Sequence, residues 1–499
     1  AVREMRSAVG FTDWNPAHFL DVAEMCAGIG LAYDWLYGTM SAEDRAVIRA
    51  GLLKLGLQPA LATNGHFGLN NHSPVCHAGL AVAALAIAED EPAAGRQIVE
   101  RAINNVRDVE SCYAPDGVYA EGPSYWVYGS DFYAVLCDAL LTALGSTYGL
   151  EKMPGLLDSL QYMEHVTAPG GKVFPYADSP VTIPPSFGYF WLAERSATPA
   201  LASHEWDRLL ANVRQRLPVI GRKSYRPMDA LSPLFLIWGT PPAERNARLP
   251  LSWSGRGLTP LAFARTSWDA QAAYLAIKGG RARTVHAHMD AGSFIYEWGG
   301  VRWAVDPGME NYTTIEARGL DLWNMSQQSQ RWEIFRLGPE SHNILRFDEG
   351  QPQVEGQATL VEAEPGPPFR AVIDLQPPYA YAVEAARRTA SLFPDGHAEI
   401  EDRWELKQLT ETVAWQLLTG ATVQVEKNRC VLESAGKRLL LQVLEPTDVR
   451  IECRPVTELV QDYDRPNLGI SRIRILVKGE MGREQVIRVS LQPVADAGK

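Results

Sequence analysis

The chain has 499 residues, of which 46% are hydrophobic and 21% are charged. A chain of this length can bury large cores, and it predicts two or three domains rather than a small binding module. Its 47 basic against 59 acidic residues give a formal net charge of -12, which disfavours a role in coating nucleic acids or other polyanions. An acidic substrate would therefore need a local basic pocket, and Arg281, Arg283, His286 and His288 offer one.

No apolar run approaches the roughly 20 residues that a membrane span needs, since the run Ala78 to Ala88 is too short. We therefore expect a soluble protein. The six cysteines form no CxxC pattern, and only Cys430 and Cys453 are a candidate disulfide pair. The chain begins inside what looks like a helix already under way, so we expect N-terminal helices of the fold to be missing.

Residues 15 to 217 have helical periodicity and predict antiparallel helix pairs. Helices that are apolar all round alternate with amphipathic ones, which predicts concentric inner and outer layers, an α/α toroid. The predicted helices are His18–Tyr37, Ala42–Leu57, Ser73–Glu89, Ala93–Ser111, Pro123–Gly149, Leu156–His165, Phe187–Arg195 and Ser203–Leu217.

The pattern changes after a stretch rich in Pro, Arg and Ser at residues 223 to 250. Short apolar or alternating runs between turn signals then predict stacked antiparallel sheets. These runs are 273–278, 293–298, 370–375, 411–418, 438–444 and 470–477. We predict an α/α toroid over 1–235, a linker over 236–255 and an antiparallel β-sandwich over 256–499.

Two predicted inner helices begin with unusual side chains. Ser73 is a natural N-cap and Pro74 a natural first helical residue, so Asn71 and His72 should lie just ahead of the helix. Pro123 should open a second inner helix with Tyr125 in its first turn. Inner helices separated by one outer helix run parallel, so both starts should lie at the same end of the toroid, where helix N-termini favour a carboxylate.

Each of these residues also has a purely structural explanation. Asn71 and His72 could simply cap a helix, and Tyr125 and Tyr128 could be core aromatic residues. Glu121 could be a cap or the partner of an arginine. The arrival of all these groups at one rim is what favours function over structure.

A candidate metal site lies in the predicted sheet region. Residues 294–298 and 301–305 should form a hairpin that turns at Gly299 and Gly300, which places His288 and Asp306 beyond its paired ends. His342 would complete the ligand set. Two imidazoles and one carboxylate suit zinc.

His286 lies two residues before His288 and should share one strand face with it. It need not bind the metal, and it is then left for chemistry. The structural alternative is a half-buried polar pair on a strand.

Three blocks of sequence resemble the heparinase II/III-like polysaccharide lyases, a superfamily that also contains alginate lyases. The blocks are Asn70-Asn71-His72, the stretch 115–129, and His286-x-His288-x-Asp-x-Gly-Ser-Phe with Asp306-Pro-Gly and Ser341-His342-Asn343. The resemblance implies an α/α toroid joined to antiparallel β-sheets, and cleavage of a uronic-acid polysaccharide by β-elimination.

The resemblance also implies roles for single residues. Tyr125 would be the catalytic tyrosine, with Tyr128 one helical turn further on as the alternative. Asn71 and His72 would neutralise the substrate carboxylate, and His286 would be a second acid or base. The zinc would be held by His288, Asp306 and His342, in a structural or site-organising role.

Further residues are candidates for binding an acidic polysaccharide or oligosaccharide. The set we predict is Glu121, Tyr128, Arg283 and Tyr312, with Trp323, Trp332, Arg281 and Arg331 as weaker candidates. The family resemblance favours a periplasmic or secreted location and allows a homodimer.

Three other functions remain open from the sequence. One is a glycoside hydrolase with Asp116 and Glu121 as its carboxylate pair. Another is a non-catalytic polysaccharide-binding protein. The last is a zinc hydrolase in which Glu297 or Glu310 serves as the base.

Overall fold

The structure is a computed structural model that describes residues 1–216, 231–239, 241 and 249–494. The chain divides into two compact units. The helical unit comprises Ala1–Gly117, Tyr125–Leu160 and Pro184–Ala247, and the sheet unit comprises Val118–Ser124, Gln161–Ile183 and Arg248–Lys499. Much of the predicted linker, residues 240 and 242–248, lies outside the described residues, so the predicted domain limits stay a prediction.

The helices follow the predicted pairs closely. They are α1 (Val2–Val9), α2 (Phe19–Leu36), α3 (Ala42–Gly51), α4 (Gln58–Leu61), α5 (His72–Ala86), α6 (Pro92–Asn105), α7 (Pro123–Leu144), α8 (Ser159–Val166), α9 (Phe187–Arg195), α10 (Ala202–Arg216), α11 (Leu234–Trp238) and α12 (Tyr312–Ala317). A π-helical stretch at Leu52–Leu57 extends α3, and a 3-10 stretch at Val106–Cys112 follows α6. The end of the last predicted helix, Leu217, lies outside the described residues.

Inner and outer helices differ as the hydrophobic pattern predicts. Most of α5 is buried on all sides, whereas α6 buries one face that includes Ile98 and Ala102. Helix α5 packs very closely on α2, because a Cβ atom at Gly79 would lie only 2.0 Å from the carbonyl oxygen of Ala23. The alternation of buried and amphipathic helices is that of an α/α toroid, as predicted.

Helix α7 is the one described helix that is long and apolar enough to cross a membrane by length and composition. However, 61% of its most apolar window is buried within the protein. Burial of this kind is typical of a core helix, and one such helix is weak evidence for a membrane span.

The strands form three antiparallel sheets. The first sheet, in spatial order, is β1 (Ser252–Gly255), β2 (Leu261–Arg265), β3 (Tyr274–Lys278), β4 (Phe294–Trp298) and β5 (Val301–Ala304). The second has the order β12 (Thr422–Val425), β13 (Arg429–Ser434), β14 (Lys437–Glu445), β17 (Glu484–Val494), β10 (Ala398–Leu406), β9 (Val383–Leu392), β8 (Phe369–Asp374) and β7 (Thr359–Glu364). The third has the order β15 (Arg450–Pro455), β16 (Ser471–Lys478), β11 (Thr412–Thr419) and β6 (Leu345–Phe347).

One large hydrophobic core joins these sheets and includes Phe294, Trp303, Trp404 and Trp415. Each predicted strand run overlaps an observed strand, and the predicted β-sandwich is confirmed. The predicted hairpin is also confirmed, since β4 pairs with β5 across Gly299 and Gly300. All six cysteines are free thiols, so the candidate disulfide between Cys430 and Cys453 is not formed.

Candidate functional site

The candidate residues of the helical unit lie where α5 and α7 begin. Helix α5 starts at His72, with Asn71 buried at its N-cap position. The predicted cap by Ser73 is wrong, because Ser73 lies inside the helix and its hydroxyl points to the carbonyl oxygens of residues 105 and 106. Instead, the Oδ1 atom of Asn70 accepts a hydrogen bond of 3.0 Å from the backbone N–H of His72.

Helix α2 starts at the same end of the unit. His18 occupies its N-cap position, and the His18 ring lies edge-on to the His72 ring with centroids 6.2 Å apart. Tyr128, in the second turn of α7, donates a hydrogen bond to Glu24 in the second turn of α2. Three helix N-termini therefore come together, which is an environment that favours a bound anion.

Tyr125 and Tyr128 are both half-buried on α7. Burial and the neighbouring Glu24 carboxylate raise the pKa of Tyr128, so this hydroxyl holds its proton tightly. Burial also raises the pKa of Glu24. Glu24 was not singled out in the sequence, because its spacing on α2 is that of an ordinary helix carboxylate.

In the sheet unit, His286 and His288 lie on a loop and not on a strand. Residues 281–290 form turns, so the expected common strand face of the two histidines is wrong. His286 has a positive φ of 65°, a backbone conformation that residues other than glycine rarely adopt. Backbone strain of this kind is concentrated at functional sites.

A carboxylate that the sequence analysis missed joins the two histidines. Asp178 lies with Oδ2 3.2 Å from Nδ1 of His286 and with Oδ1 2.9 Å from Nε2 of His288. The fully buried guanidinium of Arg331 donates to the same Oδ2 atom at 3.0 Å. The sequence had suggested Arg331 as a weaker candidate for substrate binding. Because its side chain is fully buried, Arg331 instead holds Asp178 inside the protein.

The pKa of Asp178 shows how strongly this cluster favours its ionised form. Burial alone would raise the pKa, but the charge of Arg331 and hydrogen bonds from His286 and His288 hold it well below its usual value. Asp178 therefore stays a carboxylate. Its Oδ2 atom lies at Nδ1 of His286, and the other ring nitrogen, Nε2, lies toward Glu121.

Three predicted substrate residues surround or approach His286. Glu121 is buried, and its Oε2 lies 3.6 Å from Nε2 of His286. The Tyr312 hydroxyl lies 3.5 Å from Nδ1 of His286. Trp323, which is half exposed, packs edge-on against both the His286 and Tyr312 rings. These aromatic faces could stack on a sugar ring.

Two other predicted substrate residues make contacts with other parts of the sheet unit. Arg283 is exposed and forms an ion pair of 2.8 Å with Glu355. Trp332 is buried in a small apolar cluster, so its role is packing.

The structure provides a place for a metal ion in the sheet unit. His288, Asp290 and His342 are buried, and each offers a ligand atom within 4.8 Å of the other two. Nδ1 of His288, Oδ2 of Asp290 and Nε2 of His342 have no hydrogen-bond partner among the described residues. Buried polar atoms are rarely left unsatisfied, so these three fit a cation.

The opposite edge of each of these side chains is held by a further residue. Asp178 holds His288, Lys278 holds Oδ1 of Asp290, and Oδ2 of Asp306 lies 2.8 Å from Nδ1 of His342. Partners of this kind orient metal ligands. Asp306, the predicted carboxylate ligand, thus lies beside His342, while Asp290, which the sequence analysis quoted without a role, lies between the histidines.

The fold is thus an α/α toroid followed by antiparallel sheets, with buried histidines and carboxylates grouped in the sheet unit. Residues 263–487 match the family model described as heparinase II/III-like, C-terminal. Over this range the chain is similar to the heparinase II/III-like superfamily, in agreement with the resemblance of the sequence motifs.

Solved structures support the same fold. A heparinase III gene product has a TM-score of 0.62 and 16% identity, over 96% of this chain and 68% of that chain. Heparan sulfate lyase HepC from Pedobacter heparinus has a TM-score of 0.58 and 16% identity, over 97% of this chain and 69% of that chain. A heparinase III has a TM-score of 0.61 and 13% identity, over 95% of this chain and 69% of that chain. No protein with a curated description matches the chain in sequence.

Proposed function

We propose that this chain is a polysaccharide lyase that cleaves a uronic-acid polysaccharide or oligosaccharide by β-elimination. The observation that carries the proposal is the setting of His286, whose Nδ1 faces the ionised Asp178 while its Nε2 faces Glu121. A histidine oriented in this way by a buried carboxylate suits proton transfer. The match to the heparinase II/III-like family supports the same class of reaction.

The reaction removes the C5 proton of a uronic acid residue. The electron pair of that C–H bond forms the C4=C5 double bond, and the C4–O4 bond breaks. Negative charge builds into the adjacent carboxylate on the way, so the carboxylate needs hydrogen-bond donors. Asn71 and His72, at the N-terminus of α5, would serve as donors, and such stabilisation is worth about 3 kcal/mol per donor.

Either Tyr125 or His286 would take the C5 proton. Tyr125 would donate a proton to the departing O4 oxygen. Each proton transfer of this kind contributes about 10²-fold or more to the rate. Tyr128 would bind substrate rather than react, since its hydroxyl proton is engaged with Glu24.

We further propose a zinc ion held by His288 and His342 together with a carboxylate, for which Asp290 and Asp306 are the candidates. Zinc accepts such ligands. When bound, it would supply positive charge that holds the ligand loops together. The reaction steps above are carried by side chains of the protein.

Glu297 and Glu310, the candidate bases of a zinc hydrolase, are both engaged in ion pairs. Glu297 forms an ion pair of 2.6 Å with Arg302, and it also accepts a hydrogen bond from the backbone of Gly170. Glu310 is fully buried and lies 3.3 Å from Arg465. A general base for water needs a carboxylate that can reach the water, which these two cannot do without breaking their pairs.

The proposed function is tested by recording ultraviolet absorbance of the conjugated product while the protein acts on a panel of uronate polysaccharides. We expect absorbance to rise with one substrate class, and Tyr125→Phe to lose at least about 10²-fold in kcat. Tyr128→Phe is the matched control on the same helix and should retain most of the kcat. New reducing ends without absorbance would indicate hydrolysis instead, and neither signal would indicate a binding protein.

A further inference from the structure

A buried arginine of the eight-stranded sheet reaches the loops that carry the candidate metal ligands. Arg388 lies on β9 and is fully buried. Its Nε and Nη2 atoms each donate to one oxygen of Asp402, the residue opposite on β10, at 2.8 Å. Such a two-point pair holds the guanidinium plane in one orientation.

The remaining nitrogen of this guanidinium binds two backbone carbonyls. Nη1 of Arg388 donates to the carbonyl oxygen of Gly292 at 2.7 Å and to that of Asn343 at 2.6 Å. Gly292 lies two residues after Asp290, and Asn343 follows His342 directly. One guanidinium group therefore links the two loops that bring the candidate ligands together.

The Asn343 side chain extends the link. Its Nδ2 donates to the carbonyl oxygens of Phe294 at 2.6 Å and Val305 at 3.0 Å, and its Oδ1 accepts from the backbone of Leu418 at 2.7 Å. Val305 directly precedes Asp306. The hydrogen bonds of Arg388 and Asn343 thus reach every loop that carries a candidate ligand.

None of these groups offers an atom to the metal. Arg388 is a cation, and both oxygens of Asp402 are occupied by it. Their effect on a metal would act through the spacing of the ligand loops. A change of a few tenths of an ångström in that spacing matters, because ligand distances in metal sites hold to within about 0.2 Å.

We infer that Arg388 and Asp402 are positioning residues of the candidate metal centre, with Arg388 setting the distance between the 288–292 and 342–343 loops. The inference rests on the metal centre proposed above. It assigns to a buried ion pair in the β-sandwich a role beyond packing, namely the preorganisation of a ligand set.

The inference is tested by measuring zinc affinity and apoprotein stability together. Metal-free full-length protein is titrated with zinc against a chromophoric chelator, and thermal unfolding of the same metal-free sample is followed. We expect Arg388→Lys to weaken zinc binding by about 10- to 100-fold, the usual cost of losing an outer partner of a metal site.

A second variant separates a loss of zinc affinity from a loss of the fold. Arg388→Met combined with Asp402→Leu removes both buried charges, and such replacements are often neutral for stability. We expect this variant to unfold near the wild-type temperature without metal and to bind zinc about 10- to 100-fold more weakly.

The matched control is Arg265→Lys. Arg265 is also a buried arginine of the sheet unit, and it donates to carbonyl oxygens of residues 164, 165 and 167, away from the ligand loops. It should lower the unfolding temperature and leave zinc affinity unchanged. Wild-type zinc affinity in the folded double variant would overturn the inference. If the wild-type protein bound no zinc, both the proposed metal centre and this inference would be wrong.

Discussion

The two units hold their candidate functional groups in different ways. In the helical unit, Asn71, His72 and Tyr125 belong to the first turns of helices, and the local chain places them. In the sheet unit, His286 and His288 lie on a loop, where Asp178 and Arg331 hold them from distant parts of the sequence.

The difference lies in what supports each set. Groups at helix starts gain their orientation from the helix and its partial charge, so each can be substituted with limited effect on its neighbours. Groups on a loop gain their orientation from a buried network, and loss of one member leaves others unsatisfied. The sheet unit should therefore respond to single substitutions far more strongly than the helical unit.

The largest effect is expected for Asp178→Asn. The amide would leave the charge of the fully buried Arg331 uncompensated, which costs about 3–5 kcal/mol in the free energy of unfolding. It would also leave His286 without its orienting carboxylate, so kcat should fall by about 10²-fold or more. Chemical denaturation measures the first effect, and initial rates on a uronate polysaccharide that gives the absorbance rise measure the second.

The helical unit offers the matched control for that experiment. Asp108 is partly exposed and pairs with the exposed His66 at 2.7 Å, and Asp108→Asn should cost less than about 1 kcal/mol. If Asp178→Asn were as mild as Asp108→Asn in stability and kcat, the contrast between the two units would be lost.

An intermediate effect is expected from pH, through His77 in the helical unit. Burial lowers the pKa of His77 to about 4, whereas an unfolded chain has a histidine pKa of about 6.5. Stability from this residue is therefore complete above pH ~6.5 and is lost as pH falls toward 4, because only the unfolded state gains the proton. The loss should reach roughly 3 kcal/mol.

Denaturation with urea at pH 7 and pH 4.5 measures this loss. His77→Gln should reduce the difference between the two pH values, while the exposed His18→Gln should leave it unchanged. An equal pH dependence in wild type and His77→Gln would show that burial of this ring does not govern acid stability of the unit.

The smallest effect is expected for Arg283→Ala in the sheet unit. Arg283 is exposed and pairs with Glu355, so its removal should cost less than about 1 kcal/mol in stability. KM for the polysaccharide should rise by no more than about threefold, a change in binding free energy of under ~1 kcal/mol. A tenfold rise in KM would instead show that Arg283 binds the substrate. Glu355→Ala, which removes the partner of Arg283, should in that case lower KM.

Much of this organisation could be predicted from local patterns. The periodicities of 3.6 and 2 residues predicted the helix pairs and the strand runs, since each pattern reports which side of one element is buried. Pro123 and the Gly299-Gly300 turn marked a helix start and a hairpin correctly. The cap at Ser73 was mispredicted by two residues because the helix continues back to His72, with Asn70 rather than Ser73 binding its first N–H.

What the sequence by itself determined is therefore the order and type of the elements, and the histidine, tyrosine and carboxylate residues that stand at their ends. Only the tertiary structure decided which of these groups meet. Asp178 lies 108 residues from His286 and 153 from Arg331, and no periodicity relates residues at such separations. Contacts of that kind depend on how the chain folds back on itself, because burial and hydrogen-bond satisfaction are properties of the packed interior rather than of any one segment.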